Sequence, residues 1–172
     1  MNYRTKNGNL PENIIIRLFN DADLESVLEL SQKAFMPVYE SFRKVLGDAI
    51  YQLVYPNWIF SQGQYIKLIC NGEDKKNIFV VEEKSKIIGY ISFFMNIVKK
   101  SGEIGINAVH PNHQKRGIGK MMYEHVLGVM KSNGIKLVEV STGGDPAHLA
   151  ARCAYEKCDF IPLPLVKYYK AL

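Results

Sequence analysis

Residues Glu103–Met130, EIGINAVHPNHQKRGIGKMMYEHVLGVM, restrict the fold more than any other part of the chain. Glu103 to His110 reads as a strand, and Pro111 ends its ladder because proline has no N–H to donate. A short polar loop follows. From Gly117 an apolar stripe at Ile118, Met122, Val126 and Val129 predicts an amphipathic helix, with Asn133-Gly134 as its stop. The unit is therefore strand, glycine-containing turn and helix, with Gln114-Lys115-Arg116-Gly117-Ile118-Gly119-Lys120 at the junction.

That junction has the chemistry of an anion site. The first N–H groups of a helix lack internal partners, and the macrodipole adds partial positive charge at the same end. Gly117 and Gly119 allow a ligand close to the backbone, and Lys115, Arg116 and Lys120 add full charges. A phosphate or pyrophosphate fits such a place. The competing reading is a tight turn with a solvated basic face. Two common phosphate loops do not fit. A P-loop needs a glycine where Gln114 stands and Ser or Thr where Met121 stands; a dinucleotide fingerprint needs a third glycine at Met122.

The run Gln-x-x-Gly-x-Gly after Ala-Val-x-Pro resembles the acetyl-CoA-binding motif of the GNAT superfamily of N-acetyltransferases. The resemblance implies that the amides of Gln114–Lys120 hold the pyrophosphate of coenzyme A. It also implies that the backbone of Ala108 and Val109 pairs with the pantetheine arm. A second stretch resembles the same family: Ala151-x-x-x-Tyr155-Glu156-Lys157-x-x-Phe160, where the pattern is Asn-x-x-Ala-x-x-x-Tyr-Glu-Lys-x-Gly-Phe. His148 stands at the usual asparagine and Asp159 at the usual glycine. Asp tolerates a left-handed conformation better than most residues, so the helix can still end there. His148, Ala151 and Tyr155 share one helix face, by the i, i+3, i+7 rule, and His148 and Ala151 become expected cofactor contacts.

The resemblance places Tyr155 near the thioester sulfur, where a phenol can donate a proton to the departing thiolate. The other reading is an aromatic packed at a helix-sheet seam. Glu103 matches the glutamate that acts as general base in histone-type members, often through water. Its alternative is a solvated strand-end carboxylate, and Glu139 on the next strand or bulk water can serve instead. By simple alternation Glu103 shares a face with Asn107 and Val109. His110-x-x-His113 does not read as a metal site, because Pro111 intervenes and no third ligand is near.

Around this centre, Asn13–Phe19 alternates as a strand, and Asn20 or Asp21 can cap a helix to about Phe35. Pro37 starts a second helical stretch to about Leu46, Gly47 interrupts, and Asp48–Tyr55 and Trp58–Cys70 read as further helices. Asn77–Glu82 and Ile87–Val98 form a hairpin, and Lys136–Ser141 is a strand after the organising helix. Asp145-Pro146 opens a helix to about Lys157, and Phe160–Ile161 and Leu165–Tyr169 are expected to close the sheet. The expected fold is α/β, a GNAT-like three-layer arrangement. Its central sheet is mixed and mostly antiparallel, of about six or seven strands, with helices on both faces.

The 172 residues, 47% hydrophobic, suit one globular domain over residues 1–172, with residues 1–12 as a flexible arm. No apolar run reaches membrane-span length, and the polar N-terminus carries no secretory signal. Three cysteines without a Cys-x-x-Cys read as reduced thiols, hence a cytoplasmic protein. The net charge of +5 suits an anionic partner, but no long basic run marks a nucleic-acid tail. The resulting expectation is an N-acetyltransferase that moves acetyl from acetyl-CoA directly to a primary amine of a small molecule or peptide, with no metal. A non-catalytic acyl-CoA-binding module and a basic nucleic-acid-binding domain are the alternatives. The region Pro37–Tyr65 carries Tyr39, Phe42, Tyr51, Tyr55, Trp58, Phe60 and Tyr65 with Glu40 and Asp48. Such a wall suits a cationic amine, and the same aromatics also read as the core of a helical cover. The oligomeric state stays open, a homodimer included.

Overall fold

The structure, a computed structural model, describes residues 14–172. The expected N-terminal arm lies outside the described residues. The chain runs β1 (Ile14–Leu18), α1 (Leu24–Val54), α2 (Trp58–Asn71), β2 (Ile78–Glu83), β3 (Lys86–Asn96), β4 (Ser101–Val109), α3 (Ile118–Ser132), β5 (Leu137–Val140) and α4 (Leu149–Glu156). The strands form one sheet in the order β1-β2-β3-β4-β5. All neighbours are antiparallel except β4 and β5, which are parallel because α3 is the crossover between them.

Each face of the sheet carries its own core. Ile88, Ile91, Phe93 and Ile104 pack under Ile118, Met122 and Val126 of α3. Tyr90 and Ala108 pack on the other face against Val27 and Leu30 of α1 and Ile66 and Cys70 of α2. The β2 run Ile78-Phe79-Val80-Val81 is buried throughout, as a strand covered on both sides must be. Its side chains alternate between the two cores. A polar tie joins α1 to β3: Ser31 Oγ and Tyr90 Oη share a hydrogen bond of 2.9 Å.

Two expectations change. The helix after β1 does not end at Phe35 but runs on through Pro37. Lys33, whose carbonyl loses its partner to the proline ring, is exposed, so water can satisfy it. The real break is Gly47, at φ +73°. The sheet also has five strands among the described residues rather than six or seven. Residues 160–172 form no strand, and Ile161, Leu163, Leu165 and Tyr168 stand exposed. Pro162 and Pro164 each remove a ladder donor within three residues.

Arg17 anchors the start of α1. It donates to both Asp23 oxygens at 2.7 and 2.8 Å and to Glu82 at 2.8 Å. Asp23 also accepts the Asn20 N–H at 2.9 Å, completing a capping box. Burial alone would raise the Asp23 carboxyl, but the bonds from Arg17 and Asn20 hold it below the usual carboxylate range. A depressed carboxyl contributes stability that is present above the unfolded value and lost as pH falls through the folded one. Asp23→Ala is expected to cost about 2–3 kcal/mol, the scale of hydrogen bonds to a charged group. Denaturant melts at pH 7 and pH 3 check this: the gap between wild type and variant should shrink at the lower pH.

Candidate functional site

The site begins where the sheet opens. β5 pairs with β4 only from Ser101 to Ile104. Beyond that point β4 continues to Val109 with β3 alone at its side. Opposite Ser92 the register slips, since Ile91 faces Asn107 whereas Phe93 faces Ile104. The extra residue makes a bulge at Gly105 and Ile106, immediately past the last residue of β4 paired with β5. Gly105 is required there, because a Cβ would lie 2.6 Å from Ser92 Oγ and 3.0 Å from the Phe94 ring. Ser92 Oγ in turn donates to the Ile106 carbonyl at 3.1 Å. The gap thus has a fixed floor, and Ala108 and Val109 form the β4 side of it.

The bulge corrects the expected parity. Ile104 and Val109 face the α3–α4 core, and Ile106 and Ala108 face the α1–α2 core. Glu103 therefore shares a face with Ile106, opposite to Asn107 and Val109. It is exposed and lies opposite Glu139 of β5, so the two carboxylates stand side by side.

The gap leads into the loop before α3. Lys115 and Gly117 both adopt left-handed backbone, at φ +60° and +80°, and α3 starts at Ile118. Alternation of this kind is the backbone pattern of a nest, in which successive N–H groups can turn toward one point, and here it stands at a helix N-terminus. Gln114 Nε2 donates to the Val109 carbonyl at 3.2 Å and ties the loop to the strand. Ile118 is buried in the α3 core, whereas Gly117 meets no atom within 4 Å of where a Cβ would be. The charges divide. The Arg116 guanidinium clamps Glu83 of β2 at 2.6 and 3.1 Å and stands 2.8 Å from His113 Nδ1. It moors the loop, so its charge is largely offset. Lys120 lies 3.5 Å from Glu124, and Lys115 makes no ion pair among the described residues. His110 Nδ1 accepts the Asn112 N–H at 3.2 Å. Both histidines thus serve the loop, and no group of three His, Cys, Asp or Glu side chains is arranged for a metal among the described residues.

The far wall is α4. Asp145 caps its entry by accepting the Ala147 N–H at 3.2 Å, and Asp159 closes it at φ +63°, as the glycine replacement requires. Ala151 packs against the α3 core. Tyr155, 7% exposed, points its hydroxyl into a polar cluster inside that core. Asn107 Nδ2 donates to Tyr155 Oη at 3.3 Å, and Tyr123 Oη donates to Asn107 Oδ1 at 2.9 Å. The rings of Tyr123 and Tyr155 are 4.7 Å apart. Burial, with Tyr155 beside it, pushes the Tyr123 phenol far up, so it stays neutral.

His148 goes elsewhere. Its Nδ1 is hydrogen-bonded to Asp145, and its ring stacks on Phe42 of α1 with centroids 5.6 Å apart. Burial would raise the Asp145 carboxyl, but bonds from Ser41 and His148 hold it below the ordinary range. The pair fastens the entry of α4 to α1. From Phe42 the aromatic contacts continue through Tyr55, Tyr39 and Trp58. Tyr39, Tyr55, Trp58, Gln62, Tyr65 and Ile106 line a cavity of about 360 Å³ on the Glu103 side of the sheet. Other members of the expected wall are not in it: Tyr51 is buried core and Phe60 is exposed. Glu40 and Asp48 do not line it, and Asp48 is paired with Arg43.

The family model of the GNAT acetyltransferases matches residues 37–160. The chain belongs to the GNAT acetyltransferase family. A mycothiol acetyltransferase of Beutenbergia cavernae is 33% identical over 69 residues, which is 40% of this chain and 23% of that one. This GNAT chain thus matches less than a quarter of that relative's length. Among solved structures, the PaiA N-acetyltransferase of Thermoplasma acidophilum, in complex with coenzyme A, superposes with a TM-score of 0.64 at 17% identity, covering 84% and 87% of the two chains. A GNAT acetyltransferase of Brucella melitensis, in complex with acetyl-CoA, gives 0.58 at 19%, covering 78% and 79%. An aminoglycoside acetyltransferase from an uncultured soil metagenomic sample, in complex with sisomicin, gives 0.59 at 18%, covering 92% and 96%. At such identities the likeness is one of fold.

Sequence reasoning named Asp145 only as a helix cap and did not foresee its bond to His148, nor that Asn107 and Tyr123 hold Tyr155. The i, i+3 spacing of Asp145 and His148 after the cap signalled the first of these contacts. Nothing local signals that Asn107 and Tyr123 meet Tyr155, because the contacts cross from β4 and α3 to α4.

Proposed function

We propose that this chain is an N-acetyltransferase that uses acetyl-CoA and transfers acetyl directly to a primary amine. The observation that carries the reading is the end of the β4–β5 pairing at Ile104, which leaves the β4 edge free up to Val109, just before the left-handed turns that lead into α3. A long thiol cofactor with a pyrophosphate fits both parts. Its pyrophosphate goes to the Gln114–Lys120 amides, and its arm pairs with Ala108 and Val109. Ala151 lets α4 approach that arm.

The amine comes from the α1–α2 side. Its nitrogen attacks the thioester carbonyl, a tetrahedral centre forms, and the carbon–sulfur bond breaks. Both substrates are held together, so no cysteine nucleophile is needed. Glu103, on the face of Ile106, takes the ammonium proton directly or through water. Tyr155, with Asn107 and Tyr123 fixing its hydroxyl, donates to the departing thiolate.

A CoA-release assay over a panel of amines, with CoA and DNA binding measured alongside, tests the reading. CoA binding without release for any amine would leave an acyl-CoA-binding module. Steep salt-dependent DNA binding without CoA binding would leave a nucleic-acid domain. Glu103→Gln is expected to lower the rate at pH 7 by up to about 100-fold, the low end of the general-base range, since Glu139 stands beside it. Activity should recover in part at high pH, where free amine is abundant, with CoA affinity unchanged. A wild-type pH profile in this variant would move the role to Glu139 or water.

A further inference from the structure

The cavity between α1, α2 and β4 says more about the acceptor than the fold does. We infer that the acceptor is a small primary amine carried on an aromatic ring, and that this ring seats against Tyr39, Trp58 and Ile106. The inference rests on the acetyl-transfer reading and names the substrate class of that same site.

Three observations point to it. The first is size. A cavity of about 360 Å³ falls at the lower end of the range for small ligands, roughly 300–1,000 Å³. The second is chemistry. No Asp, Glu, Lys or Arg lines the cavity, and its polar atoms come from Ser61, Gln62, the tyrosine and tryptophan rings and the backbone. Burial raises the Tyr39 phenol, and burial together with the Tyr169 hydrogen bond pushes Tyr55 up to about 12. The wall is therefore uncharged in neutral solution. A polycationic acceptor would lose water from several ammonium groups there with no carboxylate to offset the loss. A single ammonium on a flat ring loses little, because the ring stacks and the cation can meet a π face. The wall is also pre-built: Tyr39 and Trp58 are stacked at 4.1 Å and 15°, with Tyr55 edge-on to Tyr39 at 5.4 Å.

The third observation is the place of the cavity. Ile106 sits in the β4 bulge, just past the point where β5 departs. A ring against Ile106 puts an amine two carbons away near the opened strand, on the side where Glu103 and Glu139 stand. The C-terminal segment reaches one wall of the cavity: Tyr169 lies close enough to Tyr55 to perturb its phenol, and Lys167 Nζ lies 5.0 Å over the Tyr169 ring.

Trp58 is the single tryptophan of the chain, so its emission reports on this cavity without any turnover. Titrating 2-phenylethylamine should change that emission saturably, whereas spermidine and a glycine-terminated tripeptide should not. In the CoA-release assay 2-phenylethylamine should show a kcat/KM about tenfold or more above both, equivalent to about 1.4 kcal/mol. Tyr39→Leu keeps an apolar side chain and removes the π face. It should raise the KM for 2-phenylethylamine about tenfold while CoA affinity stays at the wild-type value. Should that variant misfold, the comparison of the three amines on the wild-type protein still decides. Preferred acetylation of spermidine or of the tripeptide, with Trp58 emission blind to 2-phenylethylamine, overturns the inference and leaves acetyl transfer standing. Saturable change of Trp58 emission with no CoA release for any amine sustains the aromatic pocket and instead defeats the catalytic reading.

Discussion

Tyr155→Phe is expected to lower kcat by roughly 10- to 1,000-fold, the lower part of the general-acid range, with CoA affinity near wild type. The substitution removes one oxygen from a residue that is otherwise core. Tyr155 is packed against Tyr123 and Phe160, with ring centroids at 4.7 and 5.9 Å, and phenylalanine keeps those contacts. What it loses is the hydroxyl that accepts from Asn107. Asn107 keeps its bond from Tyr123 and its own bond to the Gly105 carbonyl at 3.0 Å, so the local cost in stability should stay near 1 kcal/mol. A large fall in rate with a small fall in stability is the signature of a proton donor. The deficit should shrink with an acyl donor whose leaving thiol is more acidic, because such a group needs less protonation. If the variant turns over normally, the hydroxyl is part of the packing alone. If it unfolds, the polar cluster with Asn107 and Tyr123 is structural and water protonates the thiolate.

The second large effect concerns the cofactor loop. Gly119→Val is expected to weaken CoA binding by about 10- to 1,000-fold, equivalent to losing one or more charge-assisted hydrogen bonds at about 1.5–3 kcal/mol each. The host has room for it: a Cβ on Gly119 would meet only the Tyr123 ring, at 3.9 Å. Any loss therefore comes from the ligand side, where a branched side chain stands over the first helical amides. Gly117→Val mixes two causes, since φ +80° adds about 1–2 kcal/mol of backbone strain for a residue with a Cβ. Calorimetry with CoA on folded Gly119→Val tests the nest directly, and wild-type affinity would refute it.

Much of this site is written in local patterns. The strand-turn-helix unit can be read because hydrophobic spacing, Pro111 and two glycines act over one or two turns of chain. The left-handed end at Asp159 and the cap at Asp145 are likewise local, and both are found where expected. The helix through Pro37 and the missing strands at residues 160–172 were misread for a different reason. Proline signals a boundary, but whether a helix must end there depends on whether the orphaned carbonyl can reach water. A pair of apolar runs becomes a strand only if a neighbouring edge receives it.

By itself the sequence determined the mixed helix-and-strand class, the position of the glycine loop before α3 and the helix face shared by Ala151 and Tyr155. Tertiary structure alone decided which groups act together. It set Glu103 on the face of the aromatic cavity, because one extra residue in β4 reverses the alternation beyond Ile104. It turned Arg116 away to Glu83 and His148 away to Asp145 and Phe42, and it left Glu40 and Asp48 outside the cavity. Spacing along a chain records which residues share a face. Register, bulges and the crossing of α1 over β4 record which faces meet, and these are fixed only when the two cores close.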